Sequence, residues 1–167
     1  MKIESKYLLL ALISCALVAL DQLTKMYVHT EFALGETYPV INNFFSFTYV
    51  RNPGAAFGFL RDAPVNLRTV FFLVTPPIAM IIIVSILRGI DSSDKVQVLA
   101  LSSIFGGALG NYIDRLRFGF VIDFLDFHYK NQWNYPAFNI ADSAIVGGVG
   151  VLVWLMFKEG KKEKAAD

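Results

Sequence analysis

The stretch FNIADSAIVGGVGVLVWLMF, residues 138–157, decides the fold. A helix needs about 20 apolar residues to cross roughly 30 Å of hydrocarbon. This stretch supplies them with one interruption. Asp142 sits in its first turn and Asn139 just ahead of it. A carboxylate at the edge of a hydrocarbon layer is costly, so it calls for a partner or a task.

The rest of the chain agrees with a membrane setting. Hydrophobic residues make up 55% and charged residues 17% of the 167 positions, against about 25% charged in soluble domains. A net charge of +1 provides no field for nucleic acid. One cysteine, Cys15, excludes an internal disulfide, and two histidines, His29 and His128, argue against a zinc site. No metal or cofactor is expected.

Three further apolar stretches have spanning length. The expected spans are about 7–28, 69–87, 96–113 and 140–157, in a single membrane domain over 1–167. Pro76-Pro77 should kink the second. The third and fourth carry small residues four apart, Ser102 with Gly106 and Gly106 with Gly110, then Ser143 with Gly147 and Ala144 with Gly148, which lets helices approach closely. The links at about 29–68 and 114–139 contain strand-like runs, FFSFTYV and FVIDFLDFHY, while RNPGAAFGFL reads as a turn into a surface-lying apolar patch.

The start MKIESKYLLLALISC resembles a lipoprotein signal peptide. The apolar run continues past the cysteine with no polar tether, so Cys15 reads as an ordinary residue within the first span. Four spans put both termini on one side. Lys158, Lys161, Lys162 and Lys164 follow the last span closely and mark that side as cytoplasmic.

This topology gathers the polar groups at one face. Asp21 and Lys25 end the first span, Asn111, Asp114 and Arg115 end the third, and Asn139 and Asp142 begin the fourth. Asn52, Asp123 and Asp126 lie in the two long links. Asp21 with Lys25, and Asp114 with Arg115, read equally well as structural pairs. Asn52 could shape a turn and Asn111 and Asn139 could cap helices. Asp126 is expected to face water. Serine chemistry is poorly supported, because Ser102, Ser103 and Ser143 have no histidine at a matching depth. Two carboxylates that share a proton can activate water instead. A small transporter with an acidic relay, or a metal-dependent lipid phosphatase, would be the rival classes. The first predicts polar groups at mid-bilayer.

Three blocks carry a family resemblance: RNPGAAFGF (51–59), GGALGNYIDRLRFGFVIDF (106–124) and PAFNIADSAI (136–145), together with DQLTK (21–25). In order and nearly end to end, the chain resembles the bacterial lipoprotein signal peptidases, signal peptidase II. The resemblance implies an inner-membrane aspartyl endopeptidase, mainly α, with four transmembrane helices, a small extracytoplasmic β-cradle and a short surface helix. Its substrate would be a prolipoprotein carrying diacylglycerol on a cysteine, cut before that cysteine. The family's catalytic aspartates fall on Asp123 and Asp142, preferring Asp123 over Asp126. Its supporting positions fall on Asp21, Lys25, Asn52, Gly54, Asn111, Asp114, Arg115, Asn139 and Ala141. The cyclic peptide globomycin would occupy the same site. Beyond substrate and membrane lipid no partner is implied, and a monomer is expected. Asp142, at the positive end of a helix dipole, is expected to act as base and Asp123 as acid.

Overall fold

The structure is a computed structural model that describes residues 4–54, 63–130 and 132–163. Four helices dominate it: α1 (Ser5–Glu31), α2 (Val65–Gly89), α3 (Lys95–Phe118) and α4 (Ile140–Glu163). All four are long and apolar enough to cross a bilayer. Their outer faces are apolar, with Leu23, Val146 and Met156 each about 70% exposed. Their inner faces are partly polar: the buried residues of α1 are Lys6, Ser14, Asp21, Lys25 and Val28. This inverts the soluble pattern and suits a hydrocarbon solvent, where exposed apolar side chains cost nothing and polar ones must face protein.

The central element is α3, which touches each of the other three helices. Its small residues permit this. A Cβ on Gly107 would overlap the carbonyl oxygen of Ala141. On Gly148 of α4, a Cβ would lie 2.6 Å from the carbonyl oxygen of Ala100. The backbones of α3 and α4 therefore meet with nothing between them. α2 is less embedded. Its lower half packs Ile83 and Leu87 against Val98 and Leu101 of α3. The helix runs on through Pro76 and Pro77, each of which leaves the carbonyl four residues earlier without its usual donor.

A four-stranded antiparallel sheet, in the order β1 (Thr37–Ile41), β2 (Phe45–Asn52), β3 (Val121–Tyr129), β4 (Trp133–Asn134), sits at the end of the bundle where α1 and α3 finish and α4 begins. β1 contains Pro39, tolerated because this is an edge strand. The αL cap of α3 at Gly119, with φ of 76°, turns the chain into β3 within two residues. One face of the sheet packs Tyr49, Ile122 and Phe124 on Val28 of α1. The alternation of strand side chains turns Asp123 away from that core. In register, Asp123 stands opposite Val50, and Asn52 opposite Val121.

At the far end of the bundle, the buried Lys6 ammonium donates to the carbonyl oxygens of Arg88 and Ile90, at 3.1 and 2.9 Å. It ties the start of α1 to the end of α2. The expected surface helix falls within the stretch RNPGAAFGFL, most of which, residues 55–60, lies outside the described residues.

Candidate active site

The site is built on the first turn of α4. Asn139 precedes the helix, and its side-chain oxygen accepts the backbone N–H of Asp142 at 2.9 Å. The Asp142 carboxylate returns the bond, its Oδ2 accepting the backbone N–H of Asn139 at 3.2 Å. This is a reciprocal capping box, which satisfies two backbone donors that a helix start leaves free. Asn139 has a second duty. Its amide donates to Oδ1 of Asp123 at 2.7 Å, and also reaches the Ile122 carbonyl and Oδ1 of Asn111, each at 3.2 Å. One fully buried asparagine thus holds both aspartates.

Each carboxylate has one further donor. Asn111 of α3 donates to Oδ1 of Asp142 at 2.8 Å. Asn52, at the end of β2, donates to Oδ2 of Asp123 at 2.9 Å. The Asn52 side-chain oxygen meanwhile accepts the Gly54 N–H at 3.0 Å, closing a turn around Pro53. Asp123 is 2% exposed. Burial first, and the negative charge of Asp142 second, push its pKa up to about 7, while the Asn52 and Asn139 amides and the Lys25 charge act the other way.

Behind the aspartates lies a buried ion cluster. The Lys25 ammonium donates to Asp21 at 2.8 Å, to Asp114 at 3.1 Å and to the Asn111 side-chain oxygen at 2.8 Å. Its three donors have three acceptors. Asp21 in turn accepts the N–H of Ala141 at 2.9 Å, and Asp114 accepts the N–H of Ile122 at 3.0 Å. Ala141 is the residue before Asp142, and Ile122 the residue before Asp123. Lys25 therefore pins the two backbone segments that carry the aspartates to one another.

The sequence places all of these residues at one end of the bundle, and the structure brings them into contact. One detail differs from the readings above. Asp114 pairs with Lys25 and not with Arg115, because adjacent helical residues point about 100° apart. Arg115 donates instead to the carbonyl oxygens of Asn111 and Gly54, both at 3.2 Å, and stacks over Phe72 of α2 at 4.6 Å. It fastens the Asn52–Gly54 turn and α2 to α3. Asp126 lines the hollow beside the aspartates with its side chain 18% exposed and 3.3 Å from His128, and makes no contact with Asp123 or Asp142. One contributor was not singled out in the sequence. Gln22 donates to Oδ1 of Asp114 at 2.8 Å and to the Gly110 carbonyl at 3.2 Å. Its place inside DQLTK hinted at a role, but a contact 92 positions away has no local signature.

A cleft of about 1220 Å³ opens over Asp123 and Asp142. Arg115 and Asn111 line its base, aromatic rings such as Phe127 and Phe138 its wall, and Ile145 and Val146 of α4 its edge. Val146, on that edge, is 69% exposed, so the cleft is bordered by an exposed apolar side chain of α4. The chemistry available is that of two hydrogen-bonded carboxyls, one drawn towards neutrality, beside an apolar groove.

Comparison with known proteins is unambiguous. The profile of the family Peptidase_A8, signal peptidase (SPase) II, matches residues 13–158. The lipoprotein signal peptidase of Syntrophus aciditrophicus is 49% identical over 159 residues, covering 95% of this chain and 98% of that one. The protein of the same name from Syntrophotalea carbinolica is 43% identical over 161 residues, covering 96% and 98%. Among solved structures, a bacterial membrane enzyme determined in meso at 2.3 Å superposes with a TM-score of 0.82 at 33% identity, covering 92% of this chain and 90% of that one. A second, determined at 1.9 Å, gives 0.79 at 32% identity, covering 89% and 92%.

Proposed function

The chain belongs to the signal peptidase II family, and from that premise we propose that it is an aspartyl endopeptidase that removes signal peptides from diacylglyceryl-modified prolipoproteins, cutting before the lipidated cysteine. The observation that carries the aspartyl assignment is Asn139. Its side chain reaches Asp123 and Asp142 together, at the floor of a cleft bordered by an exposed apolar side chain of α4.

Asp142 is the base. It sits in the first turn of α4, its Oδ2 accepting the Asn139 backbone N–H and its Oδ1 the Asn111 amide. Asp123, buried and carrying its proton up to about pH 7, is the acid. A water held between them gives its proton to Asp142 as its oxygen attacks the scissile carbonyl. Asp123 protonates the carbonyl oxygen to give a gem-diol; as the C–N bond breaks, the proton on Asp142 passes to the departing amine and a gem-diol hydroxyl returns its proton to Asp123, leaving a carboxylic acid and a free amine. Acid–base assistance of this kind contributes about 10²–10⁴-fold in rate. Holding the scissile bond against the pair contributes the larger share. The apolar edge at Ile145 and Val146 suits the acyl chains, which tether the substrate at the depth of the aspartates.

In this reading the cleft faces the outer side of the bacterial inner membrane and both termini lie in the cytoplasm. Globomycin competes for the cleft. The decisive experiment is cleavage of a diacylated prolipoprotein by Asp123→Asn and Asp142→Asn, each made separately and each shown to insert. Both are expected to be inert. Turnover retained by either refutes the two-carboxylate mechanism.

A further inference from the structure

The cleavage mechanism leaves Asp126, His128 and Lys130 without a task, yet β3 presents them together. A bulge at Phe124–Leu125, whose two N–H groups share the Phe138 carbonyl, shifts the alternation, so Asp126 and His128 lie on one face of β3 beside the cleft that Asp123 lines, and Lys130 follows in the turn just past the strand's end. With Thr37, Ser46 and Trp133 they line a second hollow of about 540 Å³. Thr37, Asp126, Trp133 and Asn134 line this hollow and also the cleft over the aspartates, so the two form one trough. The lining is polar where the cleft is apolar. Nδ1 of His128 is sealed from solvent 3.3 Å from Oδ2 of Asp126, without an aligned hydrogen-bond partner. Lys130, exposed at the far end with φ of 48°, lies over the ring of Tyr129.

We propose that this polar arm of the trough binds the polypeptide that follows the scissile bond, in extended form, with Lys130 reading its charge. The inference rests on the peptidase reading above. Three parts of the substrate must leave the aspartates by different routes. The signal peptide and the acyl chains are apolar, and they match the apolar side of the cleft at Phe138, Ile145 and Val146. The segment beyond the cysteine is a soluble chain, and the arm along β3 leads away from α4 through polar side chains. The lengths agree. Strand residues advance about 3.3 Å each, so Asp126 stands roughly 10 Å and Tyr129, the last strand residue, roughly 20 Å along the strand from Asp123, with Lys130 next in the turn. An extended substrate therefore passes Asp126 near its third residue after the scissile bond and Lys130 near its seventh. The cation at Lys130 favours acidic side chains at the sixth and seventh positions.

The test uses three diacylated prolipoprotein peptides and the intact enzyme in detergent or bilayer. Two peptides differ only in bearing Asp or Lys at the sixth and seventh positions after the scissile bond, and the third ends two residues after it. For an exposed charge pair, wild type should prefer the acidic peptide by about threefold in kcat/KM, mostly through KM. Lys130→Glu should invert that preference. The short peptide should be cut with a raised KM. An unchanged preference in Lys130→Glu, or an unchanged KM for the short peptide, overturns the assignment. Failure of wild type to cut any of the three overturns the peptidase reading itself, and this assignment with it.

Discussion

Asn139 and Lys25 solve the same problem from opposite sides. Two acids cannot be brought together in a buried place unless something holds them against their repulsion. Asn139 does so with neutral hydrogen bonds, and Lys25 does so through the backbone, by way of Asp21 and Asp114. Lys25→Met would leave two buried carboxylates facing each other. Breaking such a cluster costs about 3–5 kcal/mol, so the variant is expected to lose most of its thermal stability in detergent as well as its cleavage. Proton balance gives a second expectation. In the proposed mechanism Asp123 acts as an acid only while protonated, so kcat should fall as pH rises through about 7. Asn52 donates to the ionised form of Asp123 and thereby lowers its pKa. Asn52→Ala removes that donor, favours the protonated form, and should move the alkaline limb of the pH–rate profile to higher pH. A limb that stays put, or moves down, would detach Asn52 from the acid.

Between the helices, contact is set by what is missing. Gly148→Ala inserts a methyl group into a gap bounded by the Ala100 carbonyl and Ile104. Overpacking of this kind costs about 1–3 kcal/mol, and the thermal midpoint should fall. Gly147→Ala, one position away, meets nothing within 4 Å, and should be neutral or gain up to about 1 kcal/mol from helix propensity. The two midpoints, measured side by side, separate packing from propensity. These elements were legible in the chain to different degrees. The four spans and the strands around FFSFTYV and VIDF follow from hydropathy and alternation, which are local. β1 was hidden by Pro39, which argues for an edge or no strand at all, and only its pairing with β2 decides that. The end of the bundle that gathers Asp21, Asn111 and Asp142 follows from counting spans. Which of them touch does not, because the rotation of each helix about its axis is a tertiary fact. That is why Asp114 could be paired on paper with Arg115 while it binds Lys25 and Gln22.

Seen complete, the protein is a bundle with a polar inside at one end and a sheet laid across that end. The orientation proposed for it can be read chemically. With Cys15→Ala as background, Tyr38→Cys in β1 should react with a membrane-impermeant maleimide added to spheroplasts, since Tyr38 is 64% exposed. Ser92→Cys, in the turn between α2 and α3, should react only after lysis. The reverse result would put the cleft in the cytoplasm.

The capping box that creates the second carboxylate belongs to α4, the final helix to leave the ribosome. Some 140 residues are already translated before Asp142 exists, and until then Asp21 lacks the Ala141 N–H and Asn111 lacks the Asp142 carboxylate that each meets in the finished fold. If the two aspartates act as proposed, the nascent chain has no complete pair for the first 141 residues of its synthesis.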